Sequence, residues 1–390
     1  MTSAIYKSYI IDGVQKESTP ASLLDAVLLE GDSAVEATAE KVVDETLEPK
    51  FKAYDIQALE IGRCLDTVLS AKDSYPLAFS TTHTKYLILS SLIDAIWKQG
   101  EFRLGNLCID AKWSWNEKPV GAMAALYESC AAVAETLDAL GLNLGSYSYS
   151  AGARQSRASF RVSIAQDPLE GDSGLVNDPF RLPCARLSAR RACPAKLVAD
   201  PRSWVVYVPF DTADFRLGGS LLGESLNLSG AVPEIGDAEY FIDCYELVRE
   251  FVEDKILLSA STVGRGGLMA ALKTMLGPDQ SIDINVSDIM RAYNEKHVQR
   301  VLFSEIPGVL IQINDIDFDY LDAEMILQDV AYFPLGHPKK GDGEVRVLSS
   351  GKSGIQTILE SLMQGARIQD QQEVRECHSE RFQGNSCAGP

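Results

Sequence analysis

The stretch LLSASTVGRGGLMAALKTML, Leu257 to Leu276, decides how the rest of the chain is read. A short apolar run gives way to a glycine-rich turn, and the turn opens into an apolar helix. Many proteins hold a phosphate in this way. Backbone N–H groups at a helix N-terminus face the anion, and glycines let it approach. Yet this turn has no Asp, Glu, His or Lys, and its only charge is Arg265. The pattern predicts a strand, a turn and a helix, and leaves open whether the turn is a working phosphate site or the remains of one.

Bulk composition limits the answer. The 390 residues suit two domains with an appendage, and 46% apolar with 23% charged residues is globular. The net charge of −19 argues against nucleic acid, whose backbone is gripped by basic surfaces, and points to solubility or a basic partner protein. No apolar run reaches the roughly 20 residues needed to span a bilayer. The N-terminus reads neither as a signal peptide nor as an Arg-rich transit peptide, so the expectation is a cytoplasmic protein. An organelle such as the mitochondrion is the alternative. The eight cysteines form no CxxC pair, and no metal site is expected. Cys130 and Cys244 read as core residues. Cys377-His378 with Cys387 comes nearest to a metal spacing, in a polar tail.

Outward from the opening stretch, strands and helices alternate. SWVVYVPF, ILLSA, SIDINV and GVLIQI read as strands. DAEYFIDCYELVREFVEDK reads as a helix capped by Asp237, and YLDAEMILQDV as another. Ser287 is the expected cap of a further helix. VRVLSSGKSGIQTIL reads as a closing hairpin and a last helix. Upstream, THTKYLILSSLIDAIWKQG and GAMAALYESCAAVAETLDALG have helical periodicity, while NLCIDAKWSW and SFRVSIA are strand-like. The expected class is α/β or α+β in packed layers. Residues 1–75 form an unassigned N-terminal extension with strand-like AIYKSYIIDG and FKAYDIQALEIG. Residues 76–165 make a first domain, 166–202 a basic loop or linker, 203–366 a second domain and 367–390 a disordered tail.

Several motifs fail as chemistry. SSGKSG at 349–354 lacks the first glycine of a P-loop, with Arg346 in its place. The four histidines are dispersed, and His83 and His297 read as surface or capping residues. DFRLGGSLLGES, Asp214 to Ser225, is either an anion nest or a tight turn. The two tryptophans of KWSWNEKPVGAMAALYE read as core packing.

Taken in order, these segments resemble the C-terminal synthetase half of phosphoribosylformylglycinamidine synthase, in the aminoimidazole ribonucleotide synthase (PurM-like) superfamily. AKWSWNEKPVGAMAALYES resembles the family's ANWMW…PGE.AALYDA. ALGLNLGSYSYSA resembles ALG…GKDSLSM, and FRLGGSLLGE resembles RLGGSALAQ. STVGRGGL resembles HDxSDGGL, and VLFSEIPGVLIQI resembles ALFAEELGAVLQV. The resemblance runs from about Pro76 to Ala366 and breaks through the basic loop. It implies a PurM-like two-domain fold. The N-terminal domain's sheet would pair with a second copy or an equivalent domain, in a homodimer or a hetero-oligomeric assembly.

The resemblance also implies Mg²⁺, ATP or ADP, and amidine formation. Mg²⁺ depends on hard carboxylate ligands. Here the residues aligned with the family's ionisable or amide positions are Ser91, Ala95, Lys112, Ala122, Ser146, Tyr147, Ser261, Thr262 and Arg265. A one-turn shift at the first of these brings in Asp94. What remains is Arg216, Gly218, Gly219, Ser220, Gly266, Gly267, Trp113, Trp115, Leu126, Tyr127 and Glu305. Glycines and core aromatics hold a fold, whereas carboxylates, His and Lys do the chemistry. This selective loss implies a degenerate site with no catalytic residue and no cofactor, on a structural or accessory subunit. Two alternatives stand beside it. One is an ATP-dependent ligase subunit of purine biosynthesis that needs a partner half, with Asp94 and Glu305 near the metal. The other is a metal-independent phosphate sensor built on Arg265. No Cys/His/Glu arrangement of a glutamine amidotransferase is visible.

Overall fold

The computed structural model describes residues 3–29, 43–45, 56–72, 74–99, 103–165, 184–187, 189–228 and 230–348. SSGKSG, the last helix, the polar tail and the Cys377 cluster lie outside the described residues.

The N-terminal segment is structured. β1 (Tyr9–Ile11) turns back on β2 (Val14–Gln15) through Asp12 and Gly13, both at positive φ. α1 (Pro20–Asp25) starts with a reciprocal Thr19–Ser22 capping box and Pro20 in its first turn. β3 (Val43–Glu45) runs parallel to β1. FKAYDIQALEIG is not a strand where it is described: it holds a 3-10 turn (Ile56–Ala58) and the start of α2 (Ile61–Ser70). Ile61, Cys64, Leu65 and Val68 recur at helical spacing, and all four join the packed core.

The first sheet has the order β5-β4-β6-β7. α3 (Ser80–Ile96) precedes β4 (Leu107–Trp115), and α4 (Ala122–Ala139) carries the chain to β5 (Asn143–Ala151), parallel to β4. β6 (Arg157–Ala165) runs antiparallel to β4, and β7 (Cys184–Arg186) pairs with β6. β7 lies inside the stretch expected to be a loop. The edge of β6 away from β4 supplies the hydrogen bonds that a short, breaker-rich segment can use without a hydrophobic period. Along β4 the side chains alternate. Leu107, Ile109, Ala111, Trp113 and Trp115 are buried, while Lys112 is exposed. The Trp113 indole donates to Ser129 (2.9 Å) and the Trp115 indole to the Ala122 carbonyl (2.7 Å), so both rings bury with their N–H groups satisfied.

The second sheet, β12-β8-β11-β9, is antiparallel throughout. β8 (Ser203–Pro209) leads through α5 (Leu221–Leu226) and α6 (Ala238–Glu253) to β9 (Leu257–Thr262) and α7 (Gly267–Met275). Asp237 caps α6 by accepting from Tyr240 N, as expected. Next come β10 (Gln280–Ile284), α8 (Ser287–Ala292), α9 (Val298–Phe303), β11 (Gly308–Asn314), α10 (Asp315–Leu327) and β12 (Phe333–Gly336). Ser287 is the first residue of α8 rather than its cap, and its N–H is taken by the Asn285 side chain (2.9 Å). β13 (Pro338–Lys340) and β14 (Val345–Val347) flank β10, and β14 is parallel to it, so VRV does not form the expected hairpin.

Every residue of β8 and all but the last of β11 are buried, because both faces of this sheet are covered. Trp204, Val206, Ile311 and Ile313 face the core shared with α3, α6 and α10. Val205, Tyr207 and Leu310 face the one shared with α7 and α9. Cys64, Cys108, Cys130, Cys193 and Cys244 are buried, and burial raises the pKa of Cys130 and Cys244. No described helix is long and apolar enough to cross a membrane.

Candidate functional site

β9 delivers the chain to the glycine turn, and the turn is already occupied by the chain's own carboxylate. Glu305 is 5% exposed and sits between α9 and β11. One oxygen accepts from Gly266 N (2.8 Å) and Leu221 N (2.7 Å), the other from the Arg265 guanidinium (2.5 Å). The two backbone donors lie at the starts of α7 and α5, where an anion would be expected. Arg265 also donates to the Gly219 carbonyl (3.1 Å) and lies 3.4 Å from His83 Nδ1.

The glycines are explained by the same packing. Gly266 has φ +89, and a Cβ there would lie 2.4 Å from Val68 Cγ1 of α2. Gly267 has φ +71, and its Cβ would lie 2.7 Å from the Ser304 carbonyl oxygen. Both positions need a residue that accepts left-handed backbone and has no side chain. α2 therefore covers the turn, in the part of the chain that the sequence left unassigned.

His83 is buried, not on the surface, and meets Tyr75 edge-on. Burial first, and the Arg265 charge second, lower its pKa well below the ordinary value, so the ring is neutral at pH 7. His297 stands at the N-cap position of α9, where its side chain makes no capping bond.

The other expected residues fall into separate groups. Gly218 and Gly219 precede α5, with Gly218 N bonded to the Ala231 carbonyl (3.0 Å). Ser220 caps α5 by accepting from Gly223 N (3.1 Å). Arg216 turns to Asp214 (2.6 Å) and Glu295 (3.4 Å). Ser261 sits in β9 opposite Leu310. Thr262 accepts from the Trp97 indole (2.9 Å) and donates to Asp94. Ser91 and Ala95 of α3 line an open cavity of about 280 Å³ with Asp94, Lys98, Arg161 and Phe160. Lys112 and Tyr147 belong to the first sheet. Lys112 is exposed, and Tyr147 donates to Asp25 (2.7 Å). Ala122 is buried at the start of α4. The site residues thus divide between a closed glycine turn, an open cleft and the first sheet with its helix α4, where Lys112 is exposed, Tyr147 packs against the core and Ala122 is buried. Among the described residues no three His, Cys, Asp or Glu side chains converge as metal ligands. Asp94 and Glu305, paired in one expectation, instead bind Thr262 and Arg265.

Sequence reasoning marked Glu305 as retained, but not as the group that fills the turn. It missed α2 altogether, although the Ile61–Val68 spacing was a usable signal.

No protein-family profile matches the chain. Phosphoribosylformylglycinamidine synthase from Homo sapiens is 25% identical over 209 residues, covering 53% of this chain and 14% of that enzyme. The Dictyostelium discoideum enzyme is 22% identical over 214 residues, covering 54% and 15%. The matched region thus spans about a seventh of these relatives. Among solved structures, T. maritima PurL complexed with FGAR aligns with TM-score 0.46 and 10% identity, over 75% of this chain and 42% of that one. E. coli HypE, a hydrogenase maturation protein, aligns with TM-score 0.46 and 12% identity, over 85% and 94%. Its sequence thus makes this α/β chain one that resembles the synthetase half of phosphoribosylformylglycinamidine synthase.

Proposed function

We propose that the chain is a degenerate, non-catalytic relative of phosphoribosylformylglycinamidine synthase that serves as a structural or accessory subunit of a larger assembly. The observation that carries this reading is the Glu305 carboxylate seated on Gly266 N, Leu221 N and Arg265. A phosphate arriving at the turn would have to displace a buried, paired carboxylate and the α2 cover. The replaced ionisable and amide positions support the same reading. Mg²⁺ and ATP are then not required, and the role rests on protein contacts, with the first sheet as the surface for a second copy or an equivalent domain.

A second reading keeps a ligand. It is favoured by the open cleft in which Asp94, Lys98 and Arg161 meet at Ser91 and Ala95. A partner half could complete that cleft as an ATP-dependent ligase site, and without metal its cations suit a phosphate. Isothermal titration of the purified protein with ATP, with and without Mg²⁺, separates the readings. No heat in either titration is expected. Binding that needs Mg²⁺ would replace the first reading with the ligase, and binding without it would replace it with a phosphate sensor.

A further inference from the structure

α10 is apolar on two opposite sides, and only one of them is covered. Its inner side places Phe318 against Trp204 (5.8 Å) and buries Leu321 and Met325 completely. Its outer side carries Ile316, Tyr320, Ala323 and Leu327, spaced so that all four share one stripe along the helix. These are exposed: Ile316 by 86%, Leu327 by 74%, and Ile326 at the stripe's edge by 68%. Of the nine large apolar side chains exposed among the described residues, four belong to this one helix. A solvated helix normally turns charge outward, and a concentrated apolar stripe marks a contact surface.

The surroundings say what covers it. α10 carries Asp315, Asp317, Asp319, Asp322 and Glu324 and no Lys, Arg or His. Tyr320 donates to Asp254 (3.1 Å), just beyond α6, and its ring meets Phe251 (6.1 Å). Glu250 and Glu324 also act on its phenol. The stripe is therefore rimmed by carboxylates from two helices. This rim repels an anionic membrane, and it repels a second copy of the same like-charged face.

We infer that the outer face of α10 is the docking site for a basic amphipathic helix of a partner protein. Apolar side chains of that helix would cover Ile316, Tyr320 and Leu327, and its Lys or Arg residues would meet Asp319, Glu324 and Asp254. This goes beyond the scaffold reading, because it names a surface and a partner chemistry apart from the glycine turn and the first sheet.

The probe is a labelled synthetic helix with leucines on one face and lysines on the other, titrated into the full-length protein by fluorescence anisotropy. Saturable one-to-one binding is expected, weakened about ten-fold or more in Ile316→Ser/Leu327→Ser, since both side chains lose apolar burial in the complex. Both positions are exposed, so the variant's melting temperature should stay unchanged. Equal affinity for the variant would mean that net charge alone attracts the probe, and would overturn the inference. So would equal binding of a peptide with glutamates in place of lysines, or no saturable binding. Sedimentation velocity supplies the last outcome: a dimer dissolved by the same substitutions would assign the face to a second copy instead.

Discussion

Two places in this molecule hold the residues that the sequence aligns with a nucleotide site, and they are built in opposite ways. At the glycine turn every named donor is met from inside the chain: Gly266 N, Leu221 N and Arg265 all go to Glu305, and α2 lies over the top. At the cleft beside α3, Asp94, Lys98 and Arg161 line open space. The turn has the two glycines of the synthase-like motif but not its ionisable residues, and at the cleft Ser91 and Ala95 stand at the aligned positions. A glycine motif can therefore persist because the protein packs against it, with no ligand needed to explain it.

Removing the carboxylate should have the largest effect. Glu305→Ala leaves Arg265 and two backbone N–H groups buried without their shared acceptor, and is expected to destabilise the fold by about 3–5 kcal/mol in urea unfolding. A near-neutral result would mean that the turn takes its anion from solution, and would reverse the comparison. Gly267→Ala comes next, at about 2 kcal/mol or more, from left-handed backbone together with the contact to the Ser304 carbonyl. Gly264→Ala, three residues earlier with nothing within 4 Å of its Cβ, should stay within about 0.5 kcal/mol. Similar losses at both positions would show that packing is not what fixes the motif.

The smallest effect is a pH dependence. The folded pKa of His83 lies below its unfolded value, so the unfolded chain takes up the proton first. The resulting stability is present above the unfolded pKa and is lost as pH falls towards the folded one. Melting temperatures of the wild type and His83→Asn should therefore differ in their slope below about pH 6.5 and run parallel above it. Parallel curves throughout would place His83 in contact with water.

Much of the fold was legible because it depends on local periodicity. The helices α3, α4 and α6 and the strands β8, β9 and β11 lie where their apolar spacing puts them. The tryptophans of β4 are core, as read. What escaped depends on partners distant in sequence. The role of Glu305 follows from β11 bringing the carboxylate back to a turn forty residues earlier. β14 joins β10 as a parallel neighbour, which no turn signal announces. His83 looked like a surface residue because threonines flank it, yet Arg265 and Tyr75 enclose it. The candidate site was least legible of all, since its aligned positions separate in space into three places.

The cover on the glycine turn has a consequence for how the chain acquires its shape. α2 lies roughly two hundred residues upstream of the turn that Val68 touches, so that contact is among the most non-local in the molecule. During synthesis α2 emerges long before α7 exists, so its contact with the turn can form only after the residues of that turn have been made. The seal therefore cannot precede the synthesis of the turn. It ties α2 to the turn that opens α7 across that distance.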